Sequence, residues 1–73
     1  MIGVLVTAPF DAIGDIYPLI QKYDAAKHLE TFGEKGIILE IALEEGALVG
    51  FRRDIADATR GKATAERMDD QPT

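Results

Sequence analysis

Seventy-three residues make one small domain with no room for a second core, and such a chain buries only about 60% of its unfolded surface. The absence of cysteine excludes disulfides, thiolate zinc sites and cysteine nucleophiles, and it fits a reducing, cytoplasmic setting. A net charge of -5 speaks against a free-standing nucleic-acid binder, which carries a basic stripe, and no apolar run approaches the roughly 20 residues of a membrane span. The N-terminus has no basic region ahead of its apolar stretch and does not read as a signal peptide.

Residues Ile2 to Ala8 are β-rich and stop at Pro9, which cannot donate to a ladder. Ile2, Val4 and Val6 share one face there, and Leu5 and Thr7 the other. In the next segment Ile13, Ile16, Tyr17 and Ile20 follow helical spacing, flanked by Leu19 and Tyr23. Pro18 allows two solutions: a helix capped by Asp11 and distorted at the proline, or a regular helix starting near Asp15 with Pro18 in its first turn. The first is preferred. After Asp24, the run Ala25 to Phe32 predicts a strand with His28 on the side of Ala26, Glu30 and Phe32. Gly33 to Gly36 predicts a tight turn whose glycines supply positive φ.

Residues 37–44 alternate most clearly. Ile37, Leu39, Ile41 and Leu43 form an apolar face, while Ile38, Glu40, Ala42 and Glu44 form a mixed one. After a connection at Glu44 to Gly46, a second helix is predicted from about Ala47 to Arg60, with Leu48, Phe51, Ile55 and Ala58 or Thr59 as its buried stripe. Gly61 stands just past its end. A last strand is predicted over Lys62 to Met68, with a polar tail closing the chain. The order β-α-β-β-α-β predicts an α+β, ferredoxin-like domain over residues 1–67, with two helices on one face of a four-stranded antiparallel sheet.

The chemistry offered by side chains is sparse. "RGKAT" carries a Gly-Lys pair, but a phosphate loop needs the glycines between a strand and a following helix. Here a helix precedes and a strand follows, so the pair reads as a helix stop whose cations complement the negative helix end. His28 is the sole histidine and has no second imidazole or thiolate with which to build a zinc site. The carboxylates Glu40, Glu44, Glu45, Asp54, Asp57, Asp69 and Asp70 do not follow a calcium-loop spacing and read as solvated charge. Gly14 inside a helix costs about 1 kcal/mol against alanine, which close helix–sheet packing or an irregular helix at Pro18 would explain. No metal, cofactor or catalytic set is expected.

Two segments resemble a known group. "IGDIYPLIQKY", with Ile13, Gly14 and Asp15, and "GIILEIALEEGALVGFRRDIADATRGKA", with its Thr59, Arg60, Gly61, Lys62 turn, are similar to the C-terminal domain of YigZ/IMPACT-type proteins. They also resemble the related C-terminal domain (domain V) of elongation factor G. The similarity runs from about Ile2 to Arg67. It implies a non-enzymatic accessory module of translation-related proteins, in contact with RNA or a ribosome-associated partner. In that family a larger N-terminal domain precedes this one, so the chain reads as an isolated domain or a stand-alone relative.

Two functions are therefore expected. In the first, Arg52, Arg53, Arg60 and Lys62 contact RNA or another anion. In the second, an apolar patch of Leu5, Phe32, Ile38 and Ala42 on the uncovered sheet face docks a companion domain or a second copy, with no nucleic acid involved.

Overall fold

The computed structural model describes Met1–Met68; the expected polar tail falls, from Asp69 onward, outside the described residues. Alternating aliphatics build β1 (Ile2–Ala8) and β3 (Ile37–Leu43), which pair antiparallel from Ile2 with Leu43 to Ala8 with Ile37. β2 (Ala26–Phe32) joins the other side of β3, and β4 (Thr64–Arg67) the other side of β1, giving the antiparallel order β2-β3-β1-β4. α1 (Ile13–Lys22) and α2 (Leu48–Thr59) cover one face, completing the ferredoxin-like α+β fold.

The core lies between the helices and the inward strand residues. Val4, Val6, Ile37, Leu39, Ile41 and Leu43 from the sheet meet Ile16 and Ile20 of α1 and Phe51 and Ile55 of α2. Each such side chain contributes about 1.5–3 kcal/mol by leaving water. The buried residues of α2 are Phe51, Ile55 and Thr59, with Leu48 half-buried and Ala58 exposed.

The start of the first helix departs from expectation. Asp11 does not cap it; a short 3-10 turn, Phe10–Ala12, leads in, and the α-helix begins at Ile13. Pro18 lies within α1, opposite the Gly14 carbonyl one turn back. A Cβ on Gly14 would meet nothing within 4 Å, so close packing does not explain the glycine.

Both helices end through a non-glycine residue in the left-handed region, Asp24 at φ 55 and Arg60 at φ 58. The next N–H then returns to a carbonyl five residues back, Ala25 to Ile20 at 2.9 Å and Gly61 to Ala56 at 2.8 Å. Gly61, expected as the single stop, is the second left-handed residue of its turn, at φ 81.

The hairpin glycines also act differently from expectation. Neither Gly33 nor Gly36 takes a positive φ. Gly36 instead lies against the end of β1, where a Cβ would stand 2.1 Å from the Ala8 carbonyl oxygen.

The largest correction concerns β2. Lys27 pairs with Ile41 and Leu29 with Glu40, so His28 is an extra, unpaired residue in a bulge. One extra residue reverses which face every later side chain takes. Glu30 and Phe32 therefore share the helix side with Lys27, opposite Leu39 and Ile37, and Leu29 and Thr31 face outward.

Candidate interaction surface

The outward sheet face is built in rows that cross the strands. Leu29, Glu40, Leu5 and Glu66 form the middle row, each paired to the next across β2, β3, β1 and β4. Thr31, Ile38, Thr7 and Thr64 form the row toward the hairpin. Ala26, Ala42 and Gly3 form the third, where the Met68 N–H donates to the Gly3 carbonyl and the Met68 side chain lies beside Gly3. Leu29 is 51% exposed, Ile38 42% and Met68 38%, and no helix covers them.

At its strand positions the charges of this face are of one sign, while Lys35 and Lys62 stand at its hairpin end beside Thr7 and Ile38. Among the described residues, Glu40 and Glu66 are the only charged ones at paired outward strand positions. None of the chain's eight lysines and arginines stands at one. Lys27 and Arg67 point to the helix side, opposite Ile41 and Val4, and the others belong to helices or turns.

Of the expected interface residues, Leu5, Ile38 and Ala42 share the open face. Phe32 does not: the bulge carries it to the helix side, where its ring is 61% exposed at the sheet margin. Leu29, Met68 and the two glutamates complete the surface instead. The alternation of β3 already placed Glu40 beside Ile38 and Ala42, but Leu29 depends on the bulge.

The four expected anion-binding residues do not converge. Arg60 and Lys62 line a recess of about 220 Å³ together with Asp11 and Asp15. Lys62 Nζ stands 3.6 Å from an Asp11 carboxylate oxygen, so the turn's cation already faces an anion. Arg52 lines a separate recess of about 190 Å³ with Ala56, Ala63 and Glu66. Arg53 stands close enough to Tyr23 and Asp54 for its charge to favour the ionised form of each slightly.

The "DATRGKA" turn is organised by its threonine. The buried Thr59 hydroxyl donates to the Ile55 carbonyl at 2.7 Å and accepts the Ala63 N–H at 3.1 Å. That single oxygen ties the end of α2 to the approach of β4. It accounts for the threonine without a ligand.

Two polar clusters brace the helix side. The Tyr23 hydroxyl donates to Asp54 Oδ2 at 2.6 Å, Lys22 Nζ adds a 3.2 Å contact, and the Tyr23 ring meets Phe51 edge-on at 5.5 Å. Gly50 leaves room for it, since a Cβ there would come within 3.0 Å of the hydroxyl. The Tyr23 hydrogen bond, then Lys22, holds the Asp54 carboxyl below its ordinary range, and the same bond raises the Tyr23 phenol. At the other margin the Tyr17 hydroxyl donates to Glu30, whose carboxylate also meets Lys27 at 3.2 Å. Those bonds lower Glu30 and raise Tyr17. Both clusters read as helix-to-helix and helix-to-sheet ties.

A cleft of about 640 Å³ opens at the hairpin end, lined by Thr7, Ile38 and Pro9, by the Gly33 to Gly36 turn, and by Lys62. Among the described residues no helix is long and apolar enough to cross a membrane. No protein-family model matches the chain, and no curated protein matches it in sequence.

Proposed function

We propose that the chain is a non-catalytic docking module that binds a protein partner through the open face of its sheet. One observation carries this reading: Leu29, Ile38 and Met68 are exposed on a face whose paired strand positions, among the described residues, carry no charge except the carboxylates of Glu40 and Glu66. A contiguous exposed apolar patch is the usual mark of an interface. Carboxylates beside it repel phosphate, so the same surface is ill suited to RNA.

The resemblance to the YigZ/IMPACT-type and elongation factor G domains supplies the setting, a translation-associated accessory domain with a ribosome-associated protein as its partner. The RNA-contact form of that reading has less support. It would fall on Arg52, Arg53, Arg60 and Lys62, of which Arg60 and Lys62 share a recess with Asp11 and Asp15 while Arg52 lines another, and Lys62 already faces Asp11.

The test has two arms. Labelled single-stranded and structured RNAs titrated with the protein at low and moderate salt are expected to give no saturable binding. A photo-crosslinking residue at position 38 is expected to form an adduct with one protein, identified by mass spectrometry, that the same residue at position 57 on α2 does not form. Salt-sensitive RNA binding that weakens with Arg60→Ala and Lys62→Ala together would overturn the proposal.

A further inference from the structure

The rows of the open face have a spacing that selects among partners. Adjacent strands lie about 4.8 Å apart, so Glu40 and Glu66, each one strand from Leu5, are separated by about 10 Å. Leu29 continues the row one strand further. The middle row thus alternates apolar, acidic, apolar, acidic at steps of about 5 Å.

An α-helix laid across the strands presents a matching row. Residues three or four apart on one helix face are about 5–6 Å apart, and residues seven apart are about 10.5 Å apart along the axis. An extended segment repeats on one face at about 6.8 Å and then about 13.5 Å, so neither interval equals the roughly 10 Å between the two glutamates.

Building on the docking reading above, we infer that the occupant of the open face is an amphipathic helix of a partner protein with two basic residues seven positions apart. An apolar residue between the cations rests on Leu5, and another before the first rests on Leu29. Ile38 and Met68 lie on either side of that row. Charge complementarity separates this occupant from the alternatives. A second copy of the chain would bring two pairs of glutamates together without a cation at any outward strand position, and nucleic acid would meet the same repulsion.

Glu40 and Glu66 make no hydrogen bond or ion pair among the described residues, so they can be changed without dismantling the fold. The probe is a set of synthetic helical peptides of one sequence, with leucines at the two apolar positions and lysine, glutamine or glutamate at the two charged ones. Binding to the full chain is followed by amide chemical-shift changes.

The lysine peptide is expected to shift the amides of Leu5, Ile38 and Glu40. Its Kd should weaken about tenfold when Glu40→Gln and Glu66→Gln are combined, in keeping with two partly exposed ion pairs. The glutamine peptide should already show that loss and lose little more with the double variant. The glutamate peptide should bind only the Glu40→Lys, Glu66→Lys protein.

Equal affinity of the lysine and glutamine peptides for the open face would overturn the inferred chemistry and leave the docking face intact. Absence of lysine-peptide binding at about millimolar concentration, or shifts confined to another surface, would overturn it too. So would a dimer by sedimentation that Ile38→Glu abolishes, since that would seat a second copy on the face. Failure of the docking reading itself would appear separately, as RNA binding or as the loss of the position-38 adduct.

Discussion

Val4, Val6, Leu39 and Ile41 lie under the helices at 1% exposure or less, whereas their alternate neighbours Leu5, Ile38 and Glu40 look outward from the same two strands. Inward on β1 and β3, every position is filled by an apolar residue, and packing accounts for its identity. Outward, packing requires no particular residue, yet exposed aliphatics recur and the charge is of one sign. The inward face thus answers to the fold, and the outward face to whatever the protein meets.

That contrast can be broken most forcefully from the inside. Phe51→Ala removes the largest buried ring, together with its edge contact to Tyr23, and is expected to lower unfolding stability by about 3–5 kcal/mol in a urea titration. Next comes Thr59→Val, which keeps the shape but strips the oxygen that joins Ile55 to Ala63. It leaves a buried N–H without a partner and should cost about 1–3 kcal/mol by the same measurement.

A smaller effect is expected from the tie between the helices, and it should depend on pH. The folded-state pKa of Asp54 is depressed, chiefly by the Tyr23 hydroxyl. Its contribution is therefore present above the unfolded value, about 4, and is lost as pH falls through the lower folded value. Tyr23 is raised, so its part is present below about pH 10 and is lost as pH climbs through the higher folded value. Asp54→Asn should flatten the acid limb of the stability–pH profile, measured by urea midpoints, and leave a smaller stability at neutral pH. An unchanged acid limb would remove Asp54 from this account.

The smallest effect belongs outside. Ile38→Thr, alone or with Glu40→Gln, should move stability by no more than about 0.5–1 kcal/mol. A loss as large as that of Phe51→Ala would mean that the open face is part of the folding core after all.

The same inside–outside contrast explains what could be read from the chain. Ile37, Leu39, Ile41 and Leu43 declared their face by strict alternation, and Phe51 and Ile55 theirs by helical spacing, because burial acts on each residue locally. Leu5, Ile38 and Ala42 could be assigned outward by the same rule. Phe32 could not, because its face is decided by the unpaired His28 upstream, and a bulge arises from how two strands pair rather than from either strand's composition. The scattering of Arg52, Arg53, Arg60 and Lys62 was hidden for a similar reason. Closeness in sequence at the end of α2 does not show which side of the helix each cation takes, or that Asp11, from the far end of the chain, meets Lys62.

The bulge in β2 also bears on how molecules of this protein behave when crowded. Among the described residues β2 is an outer strand with an unpaired hydrogen-bonding edge, the kind of margin on which sheets of separate molecules can fuse. The step at His28 breaks that edge into two short pieces, and Lys27 and Glu30 place charge beside it. The opposite margin, β4, offers only 4 residues. Short, interrupted borders of this kind work against edge-to-edge pairing between molecules, whatever the broad side of the sheet leaves uncovered.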